Sequence, residues 1–426
     1  MLTKEENDLL TQTDAGTPGG ILLRSFWQPA ALSEELAHDG APIKVRIFGE
    51  DLVLFRDDAG NPGLLGLHCP HRAADLSYGQ CEDGGLRCLY HGWLFDAAGN
   101  CTEQPGEPTD SDFKNKVKQT AYPCKEQAGL IFTYMGQGEP PLLPAYPVLQ
   151  AGDGQWFVTK FFQECNYLQG NEGNLDPEHL SFLHRAFIND PRANADVVLG
   201  GEASFDILLG KDKAPVIEIE ETNYGLRIFT TRNAEEGETF LRLTNYVFPN
   251  MNAFPGGVGG TPADQGHGMH WHVPIDDTHH WKYQLTTVWT GSLDKTKLNA
   301  GNVDDLKADY HLIRNTENRF LQDRGEMKDT TFAGMGFNIQ VHDVWATAGE
   351  GPIQDRTTEH LGYTDKVITA ARRQLLDAVR TVQEGGEPKY VVRDAGSNSF
   401  GHMVSFNEVG PKSTDWHSLW QERIPK

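Results

Sequence analysis

An α+β fold follows from three features of the sequence. Residues 25–136 read as short apolar strands cut by Gly- and Asp-rich turns; longer strands follow between 155 and 291; and one long amphipathic helix stands at Thr364–Glu384. A helical lead-in occupies 1–24, where Thr3 and Glu6 have the spacing of a capping box. The all-β unit takes strands from KVRIFGEDLVLFRD (44–57) and GLLGLHC (63–69), separated by the turn Asp57-Asp58-Ala59-Gly60-Asn61. LFDAAGNC (94–101) is predicted to be a hairpin, and GLIFTYMG (129–136) a closing strand. The proline-rich GQGEPPLLPAYP (136–147) reads as a linker, so the second domain spans 137–426. There, QWFVTKFF (155–162) is a strand, and 166–188 is a helical stretch rich in amides and carboxylates. The runs 216–232, 239–251, 268–276 and 279–291, spaced by turn clusters, predict an antiparallel sheet. Residues 302–327 are expected to be helical by period and charge. In Thr364–Glu384, Val367, Ile368, Ala371, Leu375, Val379 and Val382 line one face, and Gly385-Gly386 stop the helix.

Composition narrows the partners. A 426-residue chain with 38% hydrophobic and 23% charged residues is an ordinary globular protein of two or three domains. Its net charge of −23 argues against nucleic acid and anionic membrane, whose binding needs basic surface. No run of about eighteen apolar residues is present to span a bilayer. Six cysteines, four of them free if two bind metal, and no signal-peptide core in MLTKEENDLL place the expectation in the cytoplasm; the acidic surface would suit a basic partner.

The chemistry starts at two mixed pairs, Cys69-x-His71 and Cys88-x2-His91. Two thiolates and two imidazoles are the ligand set of a Rieske [2Fe–2S] centre, where histidines replace two cysteines on one iron and raise its potential. A zinc site with two cysteines and two histidines is the rival, but such sites usually pair like ligands. A second constellation is Asp176-x2-His179-x4-His184. Two histidines and a carboxylate form the facial triad that holds Fe(II) with open positions for O2 and substrate. Histidines five apart sit ~140° apart on a regular helix, so a kink, a π-type bulge or a helix end is expected between them. Asp176 precedes Pro177 and reads equally as a helix cap.

The wider text CPHRAADLSYGQCEDGGLRCLYHGW (69–93) closely resembles the Rieske motif of ring-hydroxylating oxygenases. Ala74 and Tyr90 stand where respiratory Rieske proteins carry an extra disulfide. The pattern N-x2-Q-x2-E-x3-D-x2-H-x4-H, on Asn166, Gln169, Glu172, Asp176, His179 and His184, resembles that of Rieske non-haem iron oxygenase α subunits. The stretch 337–365, with GPI-x-DR-x2-EHLG-x2-D, resembles their phthalate dioxygenase subgroup.

This resemblance implies a Rieske β domain followed by a helix-grip catalytic domain. It implies one [2Fe–2S] cluster on Cys69, His71, Cys88 and His91, and one mononuclear Fe(II) on His179, His184 and a distant carboxylate. That carboxylate maps onto Asp343; His342, Glu350, Asp355 and Asp365 are its rivals, although Asp355-Arg356 with Glu359 read as an ion-paired loop and Asp365 as a helix cap. Asp176 is implied to link His179 to His91 of an adjacent copy, in a homotrimer or a stacked homohexamer. No nicotinamide or flavin glycine motif is present, so electrons from NAD(P)H must arrive through a separate reductase. With two electrons and O2, such enzymes dihydroxylate, monohydroxylate or O-demethylate aromatic compounds, here an aromatic carboxylate or aryl ether. A Rieske electron-transfer protein without oxygen chemistry is the alternative. Arg227, Arg232 and Arg242 are the cations on the predicted sheet, read as solvated surface residues, and the cluster His267, His270, His272, His279 and His280 as surface or packing groups.

Overall fold

The computed structural model describes residues 1–185, 212–256, 266–296, 298 and 305–424. The capping box forms as the spacing predicts. Thr3 Oγ1 accepts from the Glu6 N–H at 3.1 Å and the Glu6 carboxylate accepts from the Thr3 N–H at 2.9 Å, opening α1 (Lys4–Thr11). Thr17 caps α2 (Pro18–Arg24), whose proline sits at the first turn where no N–H is needed.

The all-β unit holds β1 (Gln28–Leu32), β2 (Ile43–Ile47), β3 (Glu50–Arg56), β4 (Pro62–Gly66), β5 (Gln80–Glu82), β6 (Gly85–Arg87), β7 (Leu94–Asp96), β8 (Cys101–Glu103), β9 (Ala121–Tyr122), β10 (Cys124–Gln127) and β11 (Leu130–Thr133). They form three antiparallel sheets ordered β1-β11-β10, β2-β3-β4-β9 and β5-β6-β7-β8. Val53, Phe55, Leu65, Leu76, Leu86 and Phe95 fill a small core between the last two. That core anchors the loops following β4 and β6.

The second unit is an antiparallel sheet in the order β12 (Trp156–Gln163), β18 (His279–Val288), β17 (Gly266–Asp276), β16 (Met251–Pro255), β15 (Glu238–Val247), β14 (Gly225–Asn233) and β13 (Val216–Glu221); β19 (Phe406–Pro411) pairs with β15. Register sorts its two faces. Met269, Trp271, Val273, Tyr283 and Leu285 share one apolar face, with Trp271 meeting Phe132 of the first unit edge-on at 6.1 Å. Asn252, His270, His272, His280 and Lys282 share the other, against which α3 (Tyr167–Leu175) and α4 (Ile339–Gly349) lie. The long α5 (Lys366–Gln383) buries Val367, Ile368, Ala371, Leu375 and Val379 in the core with Leu226, Ile228 and Tyr246 of β14 and β15. A seven-residue α6 (Trp416–Glu422) follows β19.

Two expectations are corrected. Within 302–327 the described residues form turns and short 3₁₀ segments, not an α-helix. Short polar side chains take the backbone donors: Asn315 Oδ1 accepts from the Glu317 and Asn318 N–H groups, and Asp309 Oδ1 from that of His311. Arg227, Arg232 and Arg242 are buried, not solvated, because both faces of their strands are covered. The histidines, read as surface or packing groups, take the packing alternative: all are buried except the half-buried His279, with His270, His272 and His280 on one face and His267 on the other.

Candidate metal centres

Two loops present the first set of side chains, and their backbones repeat one design. The Cys69 N–H donates to Ala74 O and the Ala73 N–H to Cys69 O, both at 2.8 Å. At the same offsets, the Cys88 N–H donates to Trp93 O and the Gly92 N–H to Cys88 O, both at 2.9 Å. Each loop turns through a positive φ four residues after its cysteine, +57° at Ala73 and +73° at Gly92. Both cysteines are buried and both histidines exposed. The His71 and His91 rings lie 4.4 Å apart, His71 stacked on Trp93 at 4.4 Å and 7°, His91 against Tyr90 at 3.9 Å. Burial pushes the Cys69 thiol up to about 11, so bound metal is what would make it a thiolate. A cluster seated here has sulfur ligands inward and imidazoles outward. All six cysteines are free of disulfides.

The second set sits where α3 ends. Asn166 caps the helix with Oδ1 on the Leu168 N–H, and Glu172 on it is buried against Arg356 and Arg372. Beyond Leu175 the chain forms a 3₁₀ turn, His179–Ser181, ended by Phe182 at φ −125° and ψ −60°. That break falls between the two histidines, as their spacing requires. Their rings stand 5.0 Å apart at 81°. From α4, Asp343 Oδ1 lies 3.0 Å from His184 Nε2 and 3.8 Å from His179 Nε2. His179, His184 and Asp343 can each turn one ligand atom to within 4.8 Å of the other two, the sole such group of three among the described residues.

The surroundings set which nitrogen faces the centre. His179 Nδ1 donates to the Asp176 main-chain carbonyl at 2.6 Å, leaving Nε2 with its lone pair. His342 Nε2 donates to Gly336 O at 3.0 Å, and burial pulls this imidazole down to about 4, so its Nδ1 is an acceptor. His184 Nδ1, 3.3 Å away, donates to it, again freeing Nε2. His342, a rival for the third ligand, therefore orients His184 instead. Burial opposes ionisation of Asp343, yet Lys282, His184 and His179 hold its carboxyl well below the usual range. Two neutral imidazoles and a carboxylate suit a ferrous ion and leave positions open.

Asp176 is the C-cap residue of α3, not the N-cap of the turn that follows; its Oδ1 accepts from the Glu178 N–H at 2.7 Å and its Oδ2 lies 3.8 Å from His179 Nδ1. Glu359 pairs with Arg372, and Asp365 Oδ2 accepts from the Gly362 N–H at 2.6 Å, so neither joins the centre. Lys282 and the acceptor role of His342 escaped the sequence reading; neither has a local sequence signal, since their partners Asp343 and His184 lie 61 and 158 residues away.

Two family descriptions match: "Rieske [2Fe-2S] domain" over residues 26–123 and "LigXa C-terminal domain like" over 133–424. The phthalate 4,5-dioxygenase oxygenase subunit of Pseudomonas putida is 36% identical, covering 98% of this chain and 94% of that protein. This chain belongs to the Rieske non-haem iron oxygenases, in their phthalate dioxygenase-like subgroup. The 5,5'-dehydrodivanillate O-demethylase oxygenase subunit of a Sphingobium species is 33% identical over 93% of this chain and 85% of its own. The fold matches the terminal oxygenase of carbazole 1,9a-dioxygenase from Nocardioides aromaticivorans, with a TM-score of 0.59 and 20% identity over 89% and 98% of the chains. As an oxygenase of this family, the protein carries a Rieske cluster and a mononuclear iron. Electron transfer alone, the other reading of the sequence, does not fit these relatives. No helix among the described residues is long and apolar enough to cross a membrane.

Proposed function

We propose that Cys69, His71, Cys88 and His91 hold the [2Fe–2S] cluster and that His179, His184 and Asp343 hold the Fe(II). The observation that carries this is the convergence of three ligand atoms from two distant segments, with both histidine tautomers set by their neighbours. When bound, the two groups supply one-electron transfer and O2 activation. The chain's own part is to orient ligands, seat substrate and carry the coupling between sites. Exposed His71 and His91 place the electron exit at the surface. The free Oδ2 of Asp176 is then the acceptor for His91 of a neighbouring copy, which requires a homotrimer or a stacked homohexamer. The donor is an NAD(P)H-dependent reductase of flavin or ferredoxin type, and the compartment the cytoplasm.

An aromatic carboxylate is the substrate class that two buried arginines behind the iron-site turn favour. Arg232 and Arg242 occupy diagonal positions on β14 and β15 and face the helices. Arg232 Nη2 donates to Pro177 O at 2.9 Å and Ser181 Oγ at 3.0 Å, behind the turn bearing His179; its Nε and Nη1 have no hydrogen-bond partner among the described residues. Burial and the Arg232 charge pull Arg242 down to about 10. Glu178, 3.7 Å from Arg232, is the one carboxylate within 4.0 Å of either guanidinium among the described residues. Two buried cations so weakly countered suit an incoming anion. The test is substrate-dependent O2 uptake with a surrogate reductase, screened over aromatic acids and aryl ethers. Uptake with an aromatic acid, its KM raised at least tenfold in Arg232→Met, is expected. Uptake with neutral aryl ethers alone would overturn the substrate class.

A further inference from the structure

We propose that Lys282 is a positioning residue for the mononuclear iron: its ammonium keeps one oxygen of Asp343 for itself, so the carboxylate offers the metal only the other. This rests on the ligand reading above. Lys282 lies in the middle of β18, opposite His272 on β17 and Phe161 on β12, and is 1% exposed. A lysine is almost never buried so deeply without a partner. Its Nζ donates to Gln340 Oε1 at 2.8 Å and reaches Asp343 Oδ2 at 3.4 Å. These acceptors are three residues apart on α4, so both side chains point from one side of the helix toward β18. Asp343 Oδ1 is turned the other way, toward the nitrogens of His184 and His179.

The two oxygens are thus divided between a fixed cation and the metal position. A carboxylate that chelates with both oxygens occupies two coordination positions; one whose second oxygen is held by an ammonium occupies one. The difference is a place for O2 or water on a six-position ion. The ammonium also repels the ferrous ion through a low-dielectric interior, so its removal strengthens metal binding even as it frees Oδ2. A lysine that served only to neutralise a buried carboxylate would also tighten the metal when removed but would leave Oδ2 off the iron, so the Oδ2–iron separation tells the two roles apart.

The test uses the full-length, cluster-containing protein loaded with Fe(II), in wild-type, Lys282→Met and Lys282→Arg forms. Crystal structures report the Oδ2–iron separation, and chelator competition reports the ferrous dissociation constant. Oδ2 is expected outside bonding distance in the wild type and Lys282→Arg, and on the iron in Lys282→Met, with a dissociation constant about tenfold lower. If Lys282→Met does not fold, Lys282→Gln is read by the same criteria. Oδ2 already bound in the wild type, or unmoved in the neutral variant, overturns the proposal. Wild-type protein that loads no mononuclear iron overturns instead the ligand reading beneath it.

Discussion

Lowering the pH from 7 to 5 is expected to destabilise the catalytic sheet. His267, His270, His272 and His280 are at most 3% exposed. Burial holds His267 at about 4 and His280 at about 3, and the other two well below the usual imidazole value. In the unfolded chain each titrates near ~6.5. The unfolded state therefore binds more protons across the interval below ~6.5, and stability rises with pH there and is lost as pH falls through it. At pH 5 His267 and His280, still neutral in the fold, cost about 2 kcal/mol each, and His270 and His272 act in the same direction. Glu350, which burial raises to about 7, gains a proton in the folded state over this interval and offsets about 2 kcal/mol of the loss. The other carboxylates stay mostly ionised at pH 5, and the net loss is to be set against the 5–15 kcal/mol of a folded protein. Denaturant titration at the two pH values, with calorimetry in buffers of different ionisation enthalpy, measures the loss and the protons taken up. Metal-held imidazoles also gain protons on unfolding, so the His267→Phe variant serves as the count: it should take up one proton fewer. An equal midpoint at pH 7 and pH 5, or the same proton uptake in wild type and His267→Phe, would refute the reasoning.

Three further outcomes are expected. His342→Phe leaves the His184 Nδ1–H without its acceptor and should weaken ferrous affinity 10–100-fold, with His342→Gln recovering part of it; equal affinity in all three would remove His342 from the site. Glu172→Ala strands the buried Arg356 and Arg372, at about 3–5 kcal/mol, or roughly 5–8 °C in Tm for a unit of about 290 residues; a drop under about 2 °C would show the network to be dispensable. Asp176→Asn keeps an oxygen to accept from the Glu178 N–H, so both metals should be retained while turnover falls at least 100-fold. Unchanged turnover would end the bridging role.

Much of this site was legible because its signals are local. Two cysteine–histidine pairs mark the proposed cluster ligands by their spacing, and the five-residue gap between His179 and His184 already required the break found at Phe182. The sheet's strands and α5 were legible from periods of two and about 3.6. What could not be read was burial on the sheet. Alternation separates its two faces but does not say that both are covered, so Arg232 and Arg242 read as surface groups and the histidines could not be told between surface and packing roles. The tautomer chain from Gly336 through His342 to His184, and the hold of Lys282 on Asp343, join segments up to 158 residues apart. No window of sequence contains such contacts. Residues 302–327 misled for a different reason: charge and period matched a helix, while Asn and Asp side chains claimed the backbone donors.

Metal content of the purified protein and of His179→Ala, read beside the visible spectrum, tests the two-centre account most directly. Three irons and two acid-labile sulfides per chain are expected in the wild type, and two irons with an unchanged cluster spectrum in the variant. Two irons in the wild type, or a cluster spectrum lost with His179, would contradict it.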